Sequence, residues 1–173
     1  MSTHLIVSQA LAHTPAWVWV LLAVITLLGL RQAFDHVQTT RRIVGSAVGW
    51  TLFSAWGATS AFGFSAPVLL AWASAAAVSV ALQHWLIAPR GVRALDDGRH
   101  AVRGSLWPLL TFWAVFGVRY VSGAMLALHP ELTRDPAAAL AVPAVYGLLC
   151  GVFIARAMRV LWSATAPAPL ALA

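Results

Sequence analysis

The sequence predicts an all-α integral membrane protein, a bundle of five transmembrane helices with the N-terminus outside and the C-terminus in the cytoplasm. Of its 173 residues, 61% are hydrophobic and 9% are charged, whereas soluble domains carry about 25% charged residues. A soluble chain of this length could not bury so much apolar surface, so lipid must solvate much of it. The net charge of +6 is then loop charge facing an anionic bilayer surface, and no nucleic-acid partner is expected.

Five apolar stretches approach or exceed the length of about 20 residues that a helix needs to cross the hydrocarbon core. They define a single transmembrane helical domain over residues 1–163, with spans at about 15–30, 43–62, 67–88, 105–128 and 136–162. The first span is short, but it is needed if arginine-rich and arginine-poor loops are to alternate between the two sides of the membrane. Every span except the second begins with a capping oxygen followed by an early proline, which is a helix-start signal. These starts are Thr14-Pro15, Ser65 with Pro67, Ser105 with Pro108, and Asp135-Pro136.

The two ends of the chain carry weaker signals. Residues 4–11 are weakly amphipathic, and we favour a short helix lying in the outer interface over an extension of the first span. Residues 164–173 are rich in Ala and Pro and are predicted to be a disordered tail.

The distribution of arginine predicts the orientation. The chain has eleven fixed positive charges, all of them arginine. The only loop arginine on the opposite side is Arg134, beside Glu131 and Asp135. Because cytoplasmic loops of membrane proteins are enriched in Arg and Lys, the side with nine arginines is predicted to be cytoplasmic. These nine are Arg31, Arg41, Arg42, Arg90, Arg93, Arg99, Arg103, Arg156 and Arg159.

The eleventh arginine, Arg119, lies in the middle of the fourth span. A charge at this depth costs several kcal/mol, from about 2.5 upward, and no Asp or Glu occurs in any span to neutralise it. At the helical rise, Arg119 is roughly 13 Å below the outer end of its span, and Ser54 and Tyr146 are at roughly 12 and 15 Å. Tyr120 and Ser122 are close to Arg119 on its own helix. These five residues predict a polar layer in the outer half of the bundle.

Two interpretations of this layer remain open. In the first, Arg119 binds or helps to transport a small anionic solute or lipid group, such as a carboxylate, a phosphate or a lipid headgroup, reached from outside. In the second, its role is structural: the guanidinium bonds to Tyr146, to serines or to carbonyls freed near Pro143, or it extends toward Glu131. A structural or accessory subunit of a membrane complex is therefore the alternative function.

Metal, cofactor and catalytic chemistry have little support. His13, His129 and Glu131 are weak metal candidates, because His and carboxylate suit Zn²⁺ or Cu²⁺, but no pair of them has ligand spacing on one helix. A haem needs two facing histidines at one depth, whereas His84 is predicted near the inner face and His129 near the outer one. An intramembrane haem or metal protein is the third function considered. No cofactor is expected, and no catalytic motif was found that would indicate an enzyme.

Small residues at four-residue spacing allow close helix packing in lipid. Gly45 and Gly49 form one such pair in the second span, and Gly147 and Gly151 form another in the fifth. The bilayer is one expected partner, and either glycine pair could be the contact face of a homo-oligomer.

Four stretches of the chain resemble a family of small uncharacterised bacterial inner-membrane proteins, a domain of unknown function. They are AHTPAWVWVLLAVITLLGLRQ, ALDDGRHAVRGSLWPLL, VFGVRYVSGAMLALHPEL and AVYGLLCGVFIARAMRVL. The most specific part is Arg119-Tyr120 with Gly123 and His129-Pro130. The resemblance covers nearly the whole chain and implies a multi-pass protein of the bacterial inner membrane, but it implies no activity.

Overall fold

A computed structural model describes residues 15–86, 92–95 and 99–165. This part of the chain is mostly helical, and it contains five α-helices, one 3-10 turn and three short strands. The helices are α1 (Ala16–Arg31), α2 (Thr40–Phe62), α3 (Ala66–Leu86), α4 (Trp107–Leu128) and α5 (Pro136–Thr165). The strands are β1 (His36–Thr39), β2 (Val92–Ala94) and β3 (Arg99–Val102), and the 3-10 turn is Pro130–Arg134.

The helix bounds agree closely with the five predicted spans. Helix α5 continues to Thr165, just past the predicted start of the tail at residue 164. The remaining tail residues, 166–173, and the predicted interfacial helix at residues 4–11 lie outside the described residues. Two of the four predicted oxygen caps form, since Ala137 N–H donates to the Asp135 carboxylate at 3.1 Å and Trp107 N–H donates to the Ser105 hydroxyl at 3.2 Å. The predicted cap Thr14 lies outside the described residues.

Three of the helices are long and apolar enough to cross a membrane, judged by length and composition: α3, α4 and α5 as far as Trp162. Helix α1 is apolar but has only 16 residues. Helix α2 has 23 residues, but its glycines, serines and threonines keep its mean hydropathy below that of the other three. The described helices therefore indicate a membrane protein.

The prediction of an all-α chain is wrong at one end of the bundle. Strand β3 pairs antiparallel with both β1 and β2, which gives a three-stranded sheet in the order β1-β3-β2. His36 is opposite Val102 on β3, and Ala94 is opposite His100 on β3. Strands of three or four residues are too short to give an alternating pattern in the sequence, and they form here because the helices bring two loops together. We call this end of the bundle the sheet end and the opposite end the far end.

The sheet joins the α1–α2 loop to the α3–α4 loop. Gly104 N–H donates to the Asp35 carboxylate at 2.6 Å, and Ser105 N–H donates to the Gln32 carbonyl at 3.0 Å. A side chain at Gly104 would collide with the backbone of Ala33 and Phe34. These two loops therefore meet at one end of the bundle; together with the helix ends beside the first loop, they account for seven of the eleven arginines.

Helix α5 is central to the packing. It packs most extensively on α3 and then on α2, whereas α1 packs on α4. Gly147 and Gly151 lie directly against the backbone of α3, where an added Cβ would collide with the carbonyl oxygens of Trp72 and Ala76. This glycine pair is therefore a contact inside the chain, and the expectation that it forms an oligomer face is corrected. By contrast, a Cβ at Gly45 or Gly49 would meet no described atom within 4 Å.

The contrast between the two glycine pairs is testable with one substitution at each. We expect Gly147→Ala to lower the free energy of unfolding by about 1–3 kcal/mol, the usual cost of overpacking, because its Cβ would push α5 away from α3. Gly45→Ala is the matched control, since it makes the same change in a helix with open space around it. Thermal unfolding of both purified variants in one detergent measures the difference. Equal stabilities would contradict the α3–α5 contact.

Candidate functional site

The Arg119 guanidinium lies between two aromatic rings. Its Cζ atom is 4.5 Å from the centre of the Phe53 ring on α2 and 4.7 Å from the centre of the Tyr146 ring on α5. A cation over a ring face within about 6 Å of its centre is attracted by the ring quadrupole, by up to about 2 kcal/mol when water is excluded. The two rings therefore stabilise the charge that no acidic residue neutralises.

A backbone carbonyl supplies the hydrogen bond. Nη2 of Arg119 donates to the carbonyl oxygen of Phe53 at 2.9 Å. A carbonyl has two lone pairs, so this oxygen can accept from the arginine and still accept the helical bond of α2. Arg119 thus links α4 to α2, and its hydrogen-bond partner is a backbone carbonyl rather than a polar side chain.

Gly57 makes room for the guanidinium. It lies one turn after Phe53 on α2 and is buried. A Cβ at this position would overlap with Nη1, Cζ and Nη2 of Arg119. Any residue larger than glycine would therefore force the arginine out of its place between the rings.

Hydrogen bonds hold the Tyr146 ring in place. The Tyr146 hydroxyl is 2.6 Å from the hydroxyl of Ser122, which lies three residues after Arg119 on α4. The Ser54 hydroxyl donates to the Tyr146 carbonyl at 3.0 Å and accepts from Trp72 Nε1 at 3.0 Å. These bonds connect α2, α3, α4 and α5 at one depth.

A cleft lies beside the guanidinium, on its sheet side. The part of it that can hold the centre of a water molecule is about 20 Å³. That is room for about one water. Its walls are Trp50, Phe53, Ser54, Val115, Arg119, Tyr146, Leu149, Cys150 and Phe153.

A stack of rings closes the cleft toward the sheet end. The Trp50 ring lies 4.8 Å from Phe153 at an interplanar angle of 10°, and 5.4 Å from Phe112. Toward the far end, Arg119 and Tyr146 close it. Side chains from three helices therefore close the cleft toward the sheet end and toward the far end.

Four of the five predicted site residues lie together. Arg119 and Tyr146 are in contact, and Ser54 and Ser122 each hydrogen-bond to Tyr146. Tyr120 does not line the cleft, and its ring stacks on Phe116 at 6.2 Å. The cleft lies on the sheet side of Arg119.

Sequence reasoning missed Phe53, Gly57 and Trp72 as parts of this site. The sequence does carry one signal: Phe53 and Gly57 are one turn apart at the depth of Arg119. Counting residues along a helix gives the depth of a residue but not which side of α2 faces α4. The spacing of Phe53 and Gly57 therefore identifies a contact with Arg119 only once the packing of the helices is known.

The weak metal candidates lie at the far end. His129 Nδ1 is within hydrogen-bond distance of the Glu131 carboxylate, at 3.0 Å, and both side chains are more than half exposed. The Glu131 backbone N–H, and then the hydrogen bond from His129, lower the pKa of this carboxyl below its usual value. His13 lies outside the described residues, within which no group of three metal-binding side chains occurs.

The fold and the site define a class: a mostly helical protein with three helices apolar enough to cross a membrane and a partly buried arginine that contacts two aromatic rings. The chain belongs to DUF6622, a family of unknown function, whose family model matches residues 3–171. The predicted resemblance to an uncharacterised family is thereby confirmed. Neither a curated protein nor a solved structure matches the chain.

A double-mutant cycle tests the contact between Gly57 and Arg119. We expect Gly57→Ala to reduce the free energy of unfolding by about 1–3 kcal/mol, because its methyl group occupies the space of the guanidinium. Once Arg119→Ala has removed the guanidinium, Gly57→Ala should cost nothing. Chemical or thermal unfolding of the four proteins gives the coupling energy. The control is Gly49→Ala, on the same helix in open space, and a Gly57→Ala effect that persists without the arginine would contradict the contact.

Proposed function

We propose that this is a multi-pass protein of the bacterial inner membrane that binds a small anionic group at Arg119. In this proposal all five helices cross the bilayer, with the N-terminus outside and the C-terminus in the cytoplasm. The pairing of the α1–α2 and α3–α4 loops in one sheet supports a common side for them, and the arginines in and beside these loops support the cytoplasm as that side. The sheet end is then cytoplasmic.

The observation that carries the proposal is an uncompensated charge facing a cleft. An arginine offers several N–H donors, and among the described residues the Phe53 carbonyl is the one acceptor that Arg119 reaches. No Asp or Glu occurs in the five helices. An anion in the cleft would accept the remaining donors and neutralise the charge in a medium of low dielectric, where such pairing is strong.

The shape of the cleft supports binding rather than passage. The ring stack of Trp50, Phe112 and Phe153 lies toward the sheet end, and the Tyr146–Ser122 bond lies toward the far end. An ion that moved through the bundle would have to displace both groups. We therefore propose a binding role and leave transport as the weaker form of the same hypothesis.

Anion-dependent stability tests this function. A ligand that binds only the folded state stabilises it by about 2.7 kcal/mol at one hundred times its dissociation constant. We expect acetate, or vesicles containing anionic lipid, to raise the melting temperature of the wild type but not of Arg119→Gln. Arg134→Gln is the matched control, because it removes the same charge from an exposed position. The same stabilisation in Arg119→Gln as in the wild type would overturn the proposal.

A structural or accessory subunit is the second candidate function. Gly45, Gly49, Leu52 and Trp56 recur at helical spacing on one face of α2, and all four are exposed. A second helix could approach the open backbone at the two glycines closely. This face would then bind a second copy of the chain or another membrane subunit.

The mass of the protein in lipid nanodiscs tests the simplest form of this second function, a homodimer. If the Gly45/Gly49 face pairs two copies, the wild type is a dimer and Gly49→Leu becomes a monomer, because the larger side chain keeps the two backbones apart. Val48→Leu, an exposed neighbour on α2, should remain a dimer. A monomeric wild type would exclude self-association through this face.

A further inference from the structure

The Arg119 cleft opens sideways, between α2 and α4. Both helices pack on α5, but their backbones make almost no contact with each other. The Arg119 side chain crosses the gap to reach Phe53 and Gly57. Since side chains close the cleft toward both ends of the bundle, the remaining route into it is the gap between these two helices.

The mouth of this route is apolar. The walls on its two sides are Trp50 and Phe53 from α2 and Val115 from α4. Phe53 is 43% exposed as a residue, although it lies in the middle of its helix. In the proposed membrane orientation the mouth faces hydrocarbon, which a free hydrated anion enters only at a high cost in desolvation.

The arrangement of the guanidinium restricts the shape of the anionic group. The Arg119 Cζ atom lies over the Phe53 and Tyr146 rings, 4.5 and 4.7 Å from their centres, so a ligand can reach only the part of the guanidinium edge that the two rings leave open. The Phe53 carbonyl already takes part of that edge, at Nη2. A carboxylate oxygen can accept a charge-assisted hydrogen bond from the part of the edge that stays open.

The volume of the cleft restricts the size of this group. The part of the cleft that can hold the centre of a water molecule is about 20 Å³, which accepts about one water-sized group. A carboxylate oxygen fits there with little movement of the walls. A substituted phosphate, as in a phospholipid head, would have to displace Trp50, Phe153 or the tyrosine ring.

We propose that the ligand of Arg119 is a long-chain carboxylate, a fatty acid that enters from the bilayer between α2 and α4. Its carboxylate bonds to the open edge of the guanidinium, and its chain leaves along Trp50 and Phe53 into the hydrocarbon. This inference rests on the proposed anion-binding function and adds the class of ligand and the route by which it enters.

Equilibrium binding of radiolabelled palmitate to the full chain in lipid nanodiscs tests the inference, with empty nanodiscs as the background. We expect saturable binding to the wild type and to Arg134→Gln, and a loss of affinity of about 10- to 100-fold in Arg119→Gln, because a hydrogen bond to a charged group contributes that much. Arg119→Lys should be intermediate, since it retains the charge without the planar edge. Val115→Phe should weaken palmitate binding by narrowing the mouth, and a melting curve would show whether this variant is folded.

Competition separates this inference from the proposed function. Unlabelled palmitate should displace the label at low concentration, whereas sodium acetate and inorganic phosphate should compete only at far higher concentrations, because neither gains the contacts of an acyl chain with the apolar mouth. If acetate or phosphate binds at Arg119 as well as palmitate does, the sideways route and the fatty-acid ligand are wrong while anion binding stands. If palmitate, acetate and phosphate all fail to bind, both proposals fall. Palmitate binding that is unchanged in Arg119→Gln would also overturn the inference.

Discussion

The charge of Arg119 sets the constraint on which the interior of this bundle depends. A guanidinium among apolar helices must be stabilised, and the sequence places no acid in any helix for that purpose. In the structure, the guanidinium is stabilised by a hydrogen bond of 2.9 Å to the Phe53 carbonyl and by two aromatic rings, whose centres are 4.5 and 4.7 Å from its Cζ atom. Gly57 allows that arrangement, because only a missing side chain leaves room for the arginine against α2. Three weak interactions thus take the place of one buried ion pair, in which the free-energy cost of desolvation often exceeds the electrostatic gain.

The rest of the interior is organised around this arrangement. Tyr146 must present its ring to the arginine, and its bonds with Ser122 and Ser54 fix it to α4 and α2. Trp72 extends the same network to α3. Helix α5 carries Tyr146 at the centre of the bundle because Gly147 and Gly151 let it lie against the backbone of α3. The cleft follows from the same geometry. Arg119 links α4 to α2 at the far end of the cleft, and the stacked rings link these helices at its sheet end, so a gap remains between the two links.

Much of this could be read from the sequence, and the remainder has identifiable reasons. Apolar length and helix-start signals predicted the helix positions, and counting the helical rise placed Arg119, Ser54 and Tyr146 at one depth. Rotation about a helix axis is not encoded by depth, so Phe53 and Gly57 were missed although both lie at that depth. The two glycine pairs are alike in sequence, and only packing shows that Gly147 and Gly151 contact α3 while Gly45 and Gly49 face outward. The three strands are too short to predict and form through contacts between two separate loops.

The central claim is that the Arg119 guanidinium is held between the Phe53 and Tyr146 rings, and side-chain NMR of ¹⁵N-arginine-labelled protein in detergent tests it most directly. The Arg119 signals are assigned as those missing from Arg119→Lys. Protons near a ring face resonate upfield, so the account predicts upfield-shifted Arg119 N–H protons that exchange slowly with water and move toward ordinary values in Phe53→Leu. Arg119 signals at the positions of the exposed arginines, unchanged by Phe53→Leu, would contradict it.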